Sequence, residues 1–153
     1  MDFSQLNLGP INITGILVSV ICGLVIGFER QWNGKPAGIR TSILICLSAY
    51  TFVRIGAYVQ PDAGSVRIVG QMVTGVGFLG AGVIIAREGL VMGVTSAAVI
   101  WILAAIGSLT GMLEYVAALS IAFTTLFVLQ GISLMERLIK RLKSGVHKDN
   151  QEQ

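Results

Sequence analysis

Five nearly uncharged runs divide the chain, near Ile11 to Phe28, Ile39 to Val59, Ile68 to Ala86, Leu90 to Thr110 and Tyr115 to Met135. Each approaches the roughly 20 apolar residues that an α-helix needs to cross a bilayer. Backbone amides in hydrocarbon have no water to bond, so a segment there must satisfy its own hydrogen bonds, as a helix does. The expected fold is therefore all-α: a polytopic membrane protein with five transmembrane helices in a compact bundle. Composition agrees, with 54% hydrophobic and 12% charged residues, against about 25% charge in soluble domains. The expected organisation is a transmembrane domain over 1–135 and a basic amphipathic, partly disordered tail over 136–153. That division leaves no room for a soluble catalytic domain.

The second run is the doubtful crossing, because only 13 uncharged residues separate Arg40 from Arg54. Charge asymmetry arbitrates, since cytoplasmic loops collect Lys and Arg. Five crossings with the N-terminus outside and the C-terminus inside place Arg30, Lys35, Arg40, Arg87, Arg137, Lys140, Arg141, Lys143 and Lys148 on one side, against Arg54 and Arg67 on the other. If the second run did not cross, that bias would disappear. The first ten residues lack a positive n-region, so the first run is expected to stay as a helix rather than be removed as a signal peptide.

Several polar groups lie in or beside the apolar runs. Asn33, Gly34, Pro36 and Gly38 predict a tight turn between the first two helices, with Glu29 and Arg40 facing one another across it. Arg54, partway into the hydrocarbon, either snorkels to the outer interface or is offset by a partner, for which Asp62, Glu114 and carbonyls near the glycines are candidates. Arg67, Gln71 and Thr74 share one helical stripe with Phe78, which suggests either a polar indentation or interhelical hydrogen bonding. Thr95 opens the fourth run, and Trp101 near its midpoint is expected to be buried against glycine.

Glycine supplies the packing signal. Gly75, Gly77, Gly80 and Gly82 lie within the eight residues GVGFLGAG, where glycine lets backbones approach closely in a membrane helix. Gly23 with Gly27, and Gly107 with Gly111, add two GxxxG pairs. Together they argue for a compact bundle or a homo-oligomer.

No catalytic residue, cofactor or metal ligand is expected. There is no HExxH, no P-loop and no acid pair inside the bundle. Cys22 and Cys46 lack neighbouring histidines and read as small packing residues. The basic stretch after Met135 reads as a helix lying on anionic lipid, too short and too close to the membrane for nucleic acid.

Gly27–Gln31, Gly34–Thr41, Arg67 followed by Gly75–Gly82, and Val94–Ala98 with Trp101 closely resemble the MgtC/SapB membrane domain, over about Gly23 to Ala118. The combination of GxERxxxGxxAGxRT with GxGFLGAG is specific. The resemblance implies a multi-pass protein of the bacterial inner (plasma) membrane, in a family associated with growth at low magnesium and, in pathogens, with survival inside host cells. It implies regulation of other membrane proteins in adaptation to low magnesium or acid stress, with the lipid bilayer and another membrane protein as partners. The alternative is a small oligomeric carrier or channel favouring an anion over Mg2+, because hard cations prefer carboxylate oxygens. The length resembles the short SapB-like branch. The pattern departs from the family at Asp62, which precedes Arg67 by five residues where the family tends to place an Asp three residues ahead.

Overall fold

The computed structural model describes residues 9–87 and 90–148, except for the side chains of residues 87, 90, 133 and 136–148. Five helices follow one another: α1 (Ile13–Trp32), α2 (Ile39–Val59), α3 (Gly64–Gly82), α4 (Val94–Gly111) and α5 (Tyr115–Lys148). Four of them, α1, α2, α4 and the Tyr115–Ile132 part of α5, are long and apolar enough to cross a membrane. The 19 residues of α3 reach about 28 Å at 1.5 Å per residue, but with Arg67, Gln71, Thr74 and its glycines it is not among those four.

Local chemistry sets the helix ends. Asn12 caps α1 by accepting from the Gly15 N–H at 2.6 Å, satisfying one of the amides a helix leaves open at its start. The turn to α2 is short, as expected, and passes through Gly34 and Ala37 at φ values of 62°. The α2–α3 connection is tighter. A Cβ on Gly64 would collide with the Gly56 carbonyl, so the two backbones touch there and only glycine permits it.

One boundary departs from the expectation. The uncharged run to Ala86 is not all helix: α3 stops at Gly82, and Ile85–Arg87 pairs antiparallel with Leu90–Met92 as strands β1 and β2, Ile85 opposite Met92. Apolarity was read there as helix, but β-branched residues on either side of a turn favour a hairpin. The hairpin leads into α4 through Gly93, whose φ of 89° is left-handed. Helix α5 continues without a break to Lys148; the amphipathic character expected of the tail rests on side chains outside the described set.

The core lies between α1, α2, α4 and α5. Cys22, Ile26, Cys46, Val99, Leu103, Ile106, Ala118 and Ala122 form one buried cluster, where both cysteines are free thiols. A smaller cluster of Ala37, Val76, Ile100 and Ala104 ties α3 and the α1–α2 turn to α4. Helix α3 packs on α2 and α4, and α5 packs on α4 and α1.

Candidate functional site

Two polar constellations occupy opposite ends of the four-helix core. At the α1 C-terminus, Glu29 and Arg30 are both buried, at 7% and 4% exposure. The Arg30 guanidinium donates to Ser96 Oγ at 2.8 Å, joining α1 to the first turn of α4. A second guanidinium nitrogen lies 3.8 Å from Glu29 Oε2, and Asn33 donates to Glu29 Oε1 at 2.8 Å. Arg30 Nε and Glu29 Oε2 are left without hydrogen bonds. A buried ion pair with incompletely satisfied atoms gives little stability by itself, yet removing one partner strands the other charge.

At the other end, Asn12 is a hub. It accepts from the Tyr115 hydroxyl at 3.2 Å, its backbone carbonyl accepts from the buried Tyr50 hydroxyl at 3.0 Å, and so α1, α2 and α5 are laced together. Arg54 joins this end. Its Nε donates to the Pro10 carbonyl at 2.7 Å, so a backbone acceptor, rather than Asp62 or Glu114, offsets the cation.

The Glu29–Arg40 pair expected across the turn is replaced by Glu29 with Arg30 and Asn33, while Arg40 is exposed. Thr95 is exposed, and its neighbour Ser96 makes the buried contact. The partner of Ser96, Arg30, lies 66 positions away, and no local pattern signals that.

Arg67, Gln71 and Thr74 share one face of α3, and that face is turned to the surface, with Gln71 at its edge lining a cleft against α2. All three are exposed, as is Phe78 at 82%. Among the described residues, no hydrogen bond or ion pair engages their side chains. Nothing lies within 4 Å of a Cβ placed on Gly70, Gly75 or Gly82. Gly77 and Gly80 face α4 instead, where a Cβ on Gly80 would meet Ala97 and the Trp101 ring at 3.6 Å. Trp101 thus packs on the glycines, though 44% of it stays exposed.

The GxxxG pairs are packed within the chain. A Cβ on Gly23 or Gly27 would lie 2.6 Å from the Cα of Ile43 or Ile39 of α2. On Gly107 it would strike the Cys46 carbonyl, and on Gly111 it would lie 2.6 Å from Val53 Cβ. Among the described residues, no three His, Cys, Asp or Glu side chains are grouped to hold a metal ion.

Apolar crossing helices, close-packed through glycine, with polar groups at the two ends of the bundle, define a multi-pass helical membrane protein. The MgtC family model matches residues 16–138, and the chain belongs to that family. It is similar to the protein MgtC of Salmonella typhimurium (strain LT2), 38% identical over 131 residues, covering 85% of this chain and 54% of the relative. It is also similar to YhiD of Escherichia coli (strain K12), which carries the name of a proposed magnesium transporter, at 42% over 123 residues, covering 75% and 57%. MgtC of Brucella abortus (strain 2308) is 36% identical over 125 residues, covering 80% and 50%. The chain spans about half the length of the curated relatives it matches. No solved structure matches it. Its relatives place it among the membrane proteins of bacteria.

Proposed function

We propose that this chain is a non-enzymatic membrane protein that regulates another membrane protein during adaptation to low magnesium or acid stress, and that the outward face of α3 is the contact surface. The carrying observation is the contrast on that helix between Arg67, Gln71 and Thr74, whose side chains make no hydrogen bond or ion pair among the described residues, and open space over Gly70 and Gly82. Small residues admit a neighbouring helix closely, and an amide and a hydroxyl at membrane depth gain from interhelical hydrogen bonds. Membership of the MgtC family supports the link to magnesium, as does the proposed magnesium transport that YhiD carries in its name.

A carrier draws less support. The buried cluster between α1, α2, α4 and α5 is apolar, Arg54 is spent on the Pro10 carbonyl, and Arg67, Gln71 and Thr74 are exposed. A polar path would require several chains with their α3 faces turned inward. Flux into liposomes holding the purified protein separates the two. Regulation predicts no saturable uptake of magnesium, phosphate or other small ions. Uptake abolished by Arg67→Ala would overturn it in favour of the carrier.

A further inference from the structure

Helices α2 and α3 touch through their backbones at Gly56 and Gly64, near the end of α2 opposite the α1–α2 turn. Between them lies a lateral cleft of about 640 Å³, walled by Leu44 and Phe52 of α2 and by Gly75 and Leu79 of α3, and floored by Val76 and Ala104. Its lining is almost wholly apolar. From Thr41 to Phe52 is eleven residues of α2, about 16 Å of helix. That is about half of a hydrocarbon core roughly 30 Å thick, so the cleft spans one leaflet and closes near the midplane.

The open end is basic. Arg40 lies one helical turn below Leu44, on the same ridge of α2. Lys35 lies in the turn whose Ala37 belongs to the cluster that includes the floor residues Val76 and Ala104. Both cations are exposed, and neither forms an ion pair among the described residues. Apolar walls one leaflet deep below two unpaired cations match an amphiphile with an anionic head and an extended apolar tail. A transmembrane helix would need a groove along the full length of α2 and α3, and the cleft lining stops at Phe52 and Ile68.

We propose that the α2–α3 cleft binds one acyl chain of an anionic phospholipid of the adjacent leaflet, its phosphate held by Arg40 and Lys35. This site borders the face assigned to a partner and shares Gln71 with it, but its test is separate from the regulatory reading, because it measures lipid on the purified protein. A cationic side chain near anionic lipid favours it by about fivefold. The full-length protein, offered equal phosphatidylglycerol and phosphatidylcholine, should therefore retain one phosphatidylglycerol per chain in native mass spectrometry, with several-fold preference over phosphatidylcholine. Lys35→Gln with Arg40→Gln should abolish the preference yet keep phosphatidylcholine-level binding. Gly75→Leu fills the cleft where a Cβ meets nothing within 4 Å and should remove retention of both lipids, with helical circular dichroism unchanged. Equal retention of the two lipids by the unaltered chain, or lipid retention that survives Gly75→Leu, overturns the proposal. So does a lipid-free dimer, which would put a second copy in the cleft. Should Gly75→Leu fail to fold, the paired Lys35 and Arg40 variant decides.

Discussion

The glycines of α1 and α4 and three of those on α3 look alike in sequence and serve opposite ends in the structure. Gly23, Gly27, Gly107 and Gly111 each hold a neighbouring backbone or side chain so near that a methyl group has no space. A Cβ placed on Gly70, Gly75 or Gly82 would meet nothing within 4 Å. The first set is accounted for by the packing of this chain on itself. The second is not, although glycine weakens a helix by up to about 1 kcal/mol relative to alanine. Glycine in a membrane helix is thus no single signal; what matters is whether its open side meets the same chain or faces outward.

The largest effect should come from the packed set. Gly107→Leu drives a side chain into the Cys46 carbonyl and Ala49, and backbone there cannot yield as a flexible side chain would. Overpacking costs of about 1–3 kcal/mol or more are expected, seen as loss of the monodisperse folded peak in size-exclusion chromatography. A normal peak would break the contrast between the two sets. Next in size is Ser96→Ala, which removes the Arg30 acceptor in a buried site. About 1–3 kcal/mol should be lost in reversible unfolding in mixed micelles, whereas Thr95→Ala, one residue away and exposed, should change little. Tyr115→Phe removes hydrogen bonds to Asn12 and should cost about 1 kcal/mol by the same measurement. Smallest is Gly82→Ala, with open space around the new methyl. Stability should hold or rise by up to about 1 kcal/mol, and a large loss would mean that this face is packed within the chain after all.

Much of the frame was legible. The run from Ile39 to Val59 coincides with α2 despite Arg54, because an arginine needs only one good acceptor and the chain supplies the Pro10 carbonyl. Both GxxxG pairs lie where α1 and α4 approach α2 closely. What the sequence hid were partners set by tertiary approach. Glu29 and Arg30 are adjacent on a helix, where neighbouring side chains normally diverge; both are buried here, and Arg30 finds Ser96 on α4. The stripe of Arg67, Gln71 and Thr74 was read correctly as a stripe, but its direction depends on which side of α3 meets α2 and α4, and periodicity alone does not fix that. The Ile85–Met92 hairpin was missed because apolar length reports affinity for lipid, not helical conformation.

The outward direction of that stripe carries the functional account, and site-specific photo-crosslinking in living cells tests it most directly. A benzophenone side chain at Thr74 should give a discrete protein adduct, while the same group at Leu17, exposed on α1, should label lipid alone. Lipid alone at both positions, in cells starved of magnesium and with the chain folded, would contradict the assignment of α3 as a partner surface.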